Sequence, residues 1–257
     1  MRSEQTMAQK LLNSVYDGNK LSTQAVSLND EAAAYALQDE YFGIAAKNGI
    51  NCLGYKIALT SAASQKLFGA EEPAYGRILS NRCLACGDVL ELSTEDTVKV
   101  ECEMAVVIKE DITQVPQTRK ALLKHIDYAI PAIEVVSSRY ESTHNSLLHL
   151  IADNSNFAAV VLGDTPIELE GLETDLLGIR LEVNGELRNS GVSSAVMGDP
   201  LNALIWLIKK LNTHGKCLNK GNIVLTGAWM KPEIVQKGDV FRADFDELGN
   251  VSALFCT

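Results

Sequence analysis

The sequence predicts an α+β fold in which a helical N-terminal portion flanks a mostly antiparallel β-core. Three observations carry this expectation. Helix signals concentrate before residue 50, short β-branched runs punctuated by Gly, Asp and Asn dominate from Gly54 onward, and one strongly patterned helix interrupts that second half.

In chain order, a short helix ends at Asp17-Gly18. A longer one follows in "NDEAAAYALQDEYFGIAAKNG", with Asn29 as the expected N-cap, acidic residues in the first turn and Asn48-Gly49 as the stop. The runs "GDVLEL", "VECEMAVVI", "PAIEVV", "IRLEVNGELRNSG", "NIVLTG" and "DVFRADFDELGNVSALF" read as strands, with hairpin turns at Asn184-Gly185 and near Gly249-Asn250. In "GDPLNALIWLIKKLNTHG", Asp199 caps and Pro200 takes the first helical position. Leu201, Leu204, Ile205, Ile208 and Leu211 then form an apolar stripe that Trp206 and Leu207 widen, the mark of a packing helix. No repeat, low-complexity segment or linker divides the chain. It reads as one domain over residues 1–257, helical at 1–50 and β-rich at 51–257.

Composition narrows the function. A hydrophobic content of 46% is ample for a core, and 23 basic against 33 acidic residues leave a formal net charge of −10. That balance argues against nucleic acid, whose phosphates need clustered Lys and Arg, and favours a small-molecule ligand. The N-terminal residues lack the apolar core of a signal peptide, and no stretch approaches the roughly 18 uninterrupted apolar residues of a membrane span, so a cytoplasmic protein is expected. Six scattered cysteines are expected as thiols. Cys83 and Cys86 form a C-x-x-C without a second ligand pair at zinc spacing, which favours two half-buried thiols.

The chemistry concentrates in "VECEMAVVI". Strand alternation puts Glu101 and Glu103 on one face, and two like charges side by side cost free energy unless water screens them or a cation neutralises them. A third carboxylate, Glu134, sits in "PAIEVV" with no polar neighbour from Ile130 to Val136. Solvent-facing positions on sheet edges would explain any one of these glutamates, but they explain the set less well. If the two strands are adjacent, the three carboxylates meet as an oxygen-rich site for a hard divalent cation. Magnesium would keep about three octahedral positions for water or substrate. Lys56, in "YKIAL", is the sole charge in a strand-like run, which favours a site over the surface.

The blocks "GYKIALTS", "EEPAYGRIL", "VECEMAVVI", "DYAIPAIEVVSSRY", "IADNS", "MGDPLNALIWLIKKL" and "GNIVLTGA" come in the order found in the 2-oxopent-4-enoate hydratase and 4-oxalocrotonate decarboxylase group of the fumarylacetoacetate hydrolase superfamily. The chain resembles that group over nearly its whole length. The resemblance implies a mixed β-roll or barrel core with N-terminal helices, in an enzyme of aromatic-compound catabolism. It implies that Glu101, Glu103 and Glu134 are Mg2+ or Mn2+ ligands and that Lys56 is the active-site lysine. Its implied partners are other copies in a homo-oligomer and a sister lyase of the same pathway.

A 2-oxo acid can chelate one metal through its carboxylate and keto oxygens, and the metal then stabilises the dienolate formed when a proton leaves or CO2 departs. Lys56 either stabilises enolate charge as an ammonium or moves protons; the sequence leaves both open. Asp153, in "IADNS", is a second catalytic candidate and equally an ordinary Asp-Asn turn residue. Arg139 could bind Glu134 or a substrate carboxylate, or form a structural salt bridge. Thr60, Ser61 and Thr226 are hydroxyl donors suited to a carboxylate ligand and equally to capping loops. His125, His144, His149 and His214 show no metal spacing.

One position departs from the pattern of the group. The "P-x-[FY]-G" block of hydratase-type relatives commonly holds aspartate at x, and here "PAYG" has Ala74, which removes a proton carrier and leans toward the decarboxylase branch, as does "SRY" at 138–140. "GDPLNALIWLIKKL" and "LTGA" lean toward the hydratase branch. The reading puts hydration of 2-hydroxypenta-2,4-dienoate (2-oxopent-4-enoate) to 4-hydroxy-2-oxopentanoate first, and decarboxylation of 4-oxalocrotonate (2-oxohex-3-enedioate) second. An acylpyruvate C–C hydrolase and a non-catalytic metal-stabilised binding or stabilising subunit are the remaining alternatives.

Overall fold

The computed structural model describes residues 5–91, 97–141 and 146–256. Thr6 opens helix α1 (Met7–Asp17) by accepting from the Gln9 N–H, and Gly18, at φ 70°, closes it in the left-handed cap that glycine adopts without strain. Helix α2 (Glu31–Lys47) starts one residue later than expected. Asp30, not Asn29, is the N-cap, its Oδ1 accepting from the Ala33 N–H at 2.8 Å. The end at Asn48-Gly49 is as read from the sequence.

Strand β1 (Cys52–Ala58) leads into helix α3 (Ala62–Phe68), which buries none of its residues, and then into β2 (Ala74–Leu79). Two short strands follow, β3 (Cys83–Ala85) and β4 (Val89–Glu91), before the long β5 (Lys99–Ile108). Helix α4 (Arg119–Leu123) links β5 to β6 (Ile126–Val136). Helix α5 (Leu147–Ala152) and a tight turn at Asn154–Asn156 then lead to β7 (Phe157–Leu162).

Strands β8 (Gly178–Val183) and β9 (Glu186–Val192) form the hairpin expected at Asn184-Gly185, whose φ values of 55° and 83° suit a two-residue turn of the primed type. Helix α6 (Pro200–Thr213) precedes β10 (Ile223–Ala228), the two-residue β11 (Glu233–Ile234), β12 (Val240–Phe245) and β13 (Gly249–Cys256). The last hairpin turns at Asp246–Leu248, ahead of the expected Gly249-Asn250, because Phe245 pairs directly with Gly249 and those residues already belong to the returning strand.

The strands make two sheets. One has eight strands, ordered β2-β1-β10-β5-β6-β7-β3 with β11 beside β5, and it rolls far enough that β2 touches β7. The other has five, ordered β4-β13-β12-β8-β9. The β1–β10, β3–β7 and β4–β13 pairs are parallel and the remainder antiparallel, which makes the core a mixed β-roll. Alternation divides the large sheet's side chains between two apolar clusters. Val100, Cys102, Ile133 and Val135 pack with the five-stranded sheet, whereas Ala105, Ala132, Val160 and Leu225 pack with α1 and α2. The N-terminal helices therefore cover one face of the roll. Among the described residues no helix is long and apolar enough to cross a membrane.

Helix α6 buries Leu201, Ala203, Leu204, Leu207, Ile208 and Leu211, while Ile205 is only partly buried, so the packed face is turned slightly from the expected stripe. Its N-cap does more than cap. Asp199 Oδ1 accepts from the Leu201 N–H at 2.9 Å and the Thr174 hydroxyl at 2.8 Å, and Oδ2 accepts from Arg119 at 2.7 Å. Asp199→Ala removes a cap and a tertiary tie together, and it should lower the unfolding free energy by about 1–2 kcal/mol in urea denaturation.

Candidate metal centre

Strands β5 and β6 pair so that Glu101 stands directly opposite Glu134 and Glu103 opposite Ala132. Opposed residues share a face of a sheet, so all three carboxylates project together, and one oxygen from each lies within 4.8 Å of the others. Glu103 and Glu134 are fully buried; Glu101 is half-buried. From β1, two strands away through β10, Lys56 reaches the same point. Its Nζ lies 3.1 Å from Glu134 Oε1 and donates to the Ser155 carbonyl at 3.1 Å.

The electrostatics mark this place. Burial, then the negative charges of Glu134 and Glu101, push the Glu103 carboxyl well above its ordinary range. Burial pushes Glu134 up to about 7, with Lys56 opposing. For Lys56 burial favours the neutral amine, but the three glutamates, Glu134 foremost, outweigh it and hold the ammonium above its ordinary value. Ionised together, the three carboxylates and the ammonium sum to −2. Glu103 Oε1 and both Glu134 oxygens have no hydrogen-bond partner, the Glu134–Lys56 contact being an ion pair outside hydrogen-bond geometry. Uncompensated buried charge costs several kcal/mol per ion. A hard divalent cation would cancel the charge and fill the oxygens, so the donor set fits one.

The remaining oxygen of Glu103 is tied down: its Oε2 accepts from the Gly227 N–H at 2.6 Å. Lys56 is placed by a strained turn. Asn154, Ser155 and Asn156 have φ of 51°, 52° and 60°, left-handed values that cost an L-residue of order 1 kcal/mol each and that asparagine tolerates best. The Asn154 amide holds the turn to β2, accepting from the Arg77 N–H at 2.7 Å and donating to the Arg77 carbonyl at 2.9 Å. Gly76 allows this approach, since a Cβ there would lie 2.4 Å from the Asn154 carbonyl oxygen.

Several candidates occupy other roles. Arg139 is not available to a substrate carboxylate. Its Nε donates to Asp153 Oδ1 at 2.5 Å, Nη1 to the Phe157 carbonyl at 2.7 Å and Nη2 to the Asp153 carbonyl at 2.6 Å. Asp153 is taken up in return, because its Oδ2 accepts the Arg139 backbone N–H at 2.9 Å, so it braces the turn rather than facing a substrate. Ser61 caps α3 in a capping box with Ser64. Thr226 donates to the Met104 carbonyl at 2.8 Å, and Thr60 packs against Gly227. These short polar side chains serve the backbone because it runs close by in a bulge and a helix start.

His214 bonds the Tyr75 hydroxyl at 2.8 Å, His149 bonds Ser146 at 2.7 Å, and His125 faces Glu110 at 3.3 Å. His144 lies outside the described residues. Cys83 and Cys86 are free, half-buried thiols. Sequence reasoning missed the Ser155 carbonyl and the Gly227 N–H, backbone groups that no side-chain pattern announces; the Asn-Ser-Asn run was the available signal for a left-handed turn.

Residues 79–255 match the family model for the C-terminal region of fumarylacetoacetate (FAA) hydrolase. The chain is 32% identical to 2-keto-4-pentenoate hydratase 1 of Dechloromonas aromatica (strain RCB) over 255 residues, 98% of this chain and 97% of that one. It is 37% identical to the TodF product hydratase of Pseudomonas putida F1, covering 88% of this chain and 84% of that one. The structure superposes on 4-oxalocrotonate decarboxylase from Pseudomonas putida G7, complexed with magnesium and adipate, with a TM-score of 0.91 at 29% identity, covering 96% of this chain and 95% of that one.

The Arg139–Asp153 geometry has a measurable consequence. Arg139→Leu leaves Asp153 buried without its counter-charge, so urea denaturation should show a loss of about 3–5 kcal/mol. An unchanged midpoint would return Arg139 to the role of a ligand anchor.

Proposed function

The chain belongs to the fumarylacetoacetate hydrolase family, and on that premise we propose that it is a divalent-metal-dependent hydro-lyase that hydrates 2-hydroxypenta-2,4-dienoate to 4-hydroxy-2-oxopentanoate. The observation that carries this reading is the trio of glutamates, two of them fully buried with orphaned oxygens, beside a charged lysine. Glu101, Glu103 and Glu134 hold the cation, which we take to be Mg2+ from the oxygen donor set. When bound, the ion supplies a Lewis acid that polarises the 2-oxo group and stabilises negative charge developing on it.

The chain's own residues supply orientation and charge. The Ser155 carbonyl and Glu134 engage the Lys56 ammonium on two sides, which leaves a donor for a substrate oxygen. Lys56, held as an ammonium by the glutamates, stabilises enolate charge there. Ala74, opposite Ala58 and two pairs along from Lys56–Gly76, shares the face of Lys56 and presents only a methyl group.

The arginines favour a monocarboxylic substrate. A diacid needs a second cation, and among the described residues both buried arginines are engaged, Arg139 with Asp153 and Arg77 with Asp39. Decarboxylation of 2-oxohex-3-enedioate is the second reading, favoured by the apolar Ala74 and by the superposition on a decarboxylase. The whole chain is proposed as one cytoplasmic catalytic unit, since α1 and α2 pack on the glutamate-bearing sheet. A homo-oligomer, with a sister lyase as partner, belongs to the same proposal and is supported by the family resemblance.

The test supplies the dienoate and the diacid separately with Mg2+ and follows hydroxy-acid formation and CO2 release. Hydration of the dienoate is the expected result; CO2 from the diacid with no hydration would establish the decarboxylase. Glu103→Gln should weaken Mg2+ binding and abolish turnover, and EDTA should do the same to the unaltered protein. Lys56→Met should stay folded and bind metal while kcat falls by about 10²-fold or more. Near-normal kcat in that variant would remove Lys56 from the mechanism.

A further inference from the structure

Strand β10 carries an irregularity beside the site. Leu225 pairs with Ala105, but the next pair is Ala228 with Glu103, so Thr226 and Gly227 together oppose the single residue Met104. This is a β-bulge, and bulges re-aim the groups of the longer strand. Here the re-aimed group is the Gly227 N–H, which donates to the side chain Glu103 Oε2 at 2.6 Å. Gly227 sits at φ 115°, a conformation that side chains rarely adopt, and a Cβ added to it would lie 2.5 Å from Thr60 Oγ1. The other bulge residue, Thr226, is fully buried and donates its hydroxyl to the Met104 carbonyl at 2.8 Å.

We infer that Thr226 is a positioning residue for the metal site: its bond to Met104 holds the bulge that aims the Gly227 N–H at Glu103 Oε2, leaving Oε1 as the free oxygen of that carboxylate. The inference rests on the reading of the glutamates as metal ligands. Three links make it physical. A buried carboxylate with one oxygen bonded to a fixed N–H has a defined orientation. That N–H is fixed only while the bulge keeps its two-against-one register, and the register is stitched on the β5 side by the Thr226 hydroxyl. The arrangement is thus an outer-shell support of a ligand, of the kind whose loss typically costs 10–100-fold in metal affinity, here acting through the backbone. Thr226 therefore acts one step away from substrate.

Isothermal titration of the purified full chain with MgCl2 tests this without turnover, alongside circular dichroism to confirm folding. Thr226→Val keeps the shape and removes the hydroxyl, Thr226→Ala removes it with less demand on packing, and Thr226→Ser restores it. Valine and alanine should weaken Mg2+ binding about tenfold while serine stays within about twofold of the unaltered chain. A folded valine or alanine variant that binds Mg2+ as tightly as the unaltered chain would overturn the inference and leave the proposed function standing, as would a serine variant as weak as the valine one. Absence of Mg2+ binding by the unaltered chain would overturn the proposed function and this inference with it.

Discussion

The pairing of β5 with β6 in a register that sets Glu101 opposite Glu134 is the constraint on which the rest of the site depends. Side chains alternate along a strand, so a slip of one residue would turn the glutamates of one strand to the other face and bury them among Val100, Cys102, Ile133 and Val135. Both strands lie inside the large sheet, with β10 on one side and β7 on the other, so the register is fixed by four strands and not by one hairpin. The apolar residues on both faces make that register stable enough to carry buried negative charge. The fold does not gain stability from the trio; it tolerates it.

That toleration has a local structure. Three of the four charged groups at the site are restrained by named contacts and keep other capacity unfilled. Glu103 is bonded through Oε2 and orphaned at Oε1, Glu134 touches Lys56 with neither oxygen hydrogen-bonded, and Lys56 is anchored to a backbone carbonyl. Fixed orientation with unfilled capacity is what preorganisation requires, because groups already aimed need no reorganisation when charge develops. The fixing falls to irregular backbone. The β10 bulge and the left-handed turn at Asn154–Asn156 are places next to the site where the chain departs from regular structure, and each aims a main-chain group at a site side chain.

Much of this was legible in the sequence. The helix ends at Gly18 and Asn48-Gly49, the Asn184-Gly185 hairpin and the Asp199-Pro200 helix start follow from local rules that depend on few neighbours. The three glutamates were visible because a carboxylate in an apolar strand contradicts its surroundings, and Lys56 stood out for the same reason. What could not be read was the use of groups that fit their surroundings in more than one way. Asp153, Arg139 and Ser61 are polar residues in loops or at a helix start, and Thr226 sits in a strand bulge, where a partner on the backbone and a partner on a ligand call for the same side chain. Only the path of the neighbouring backbone decides, and that path is set by long-range pairing.

The same logic bears on what the site can accept. Arg139 and Asp153 neutralise each other beneath the turn, and Arg77 lies over the Phe42 ring while facing Asp39, so the buried arginines serve α2, β2 and the turn. Among the described residues, Lys56 is the cation in contact with the glutamates. Under the proposed function, the carboxylate of a monocarboxylic ligand matches this single charge. Ala74 adds to this from β2, where a methyl group beside Ala58 makes that stretch of the face apolar. The chain thus combines a strongly charged end, built from four side chains on three strands, with an apolar stretch along β1 and β2. A short 2-oxo acid with a hydrocarbon tail has that same division of polarity.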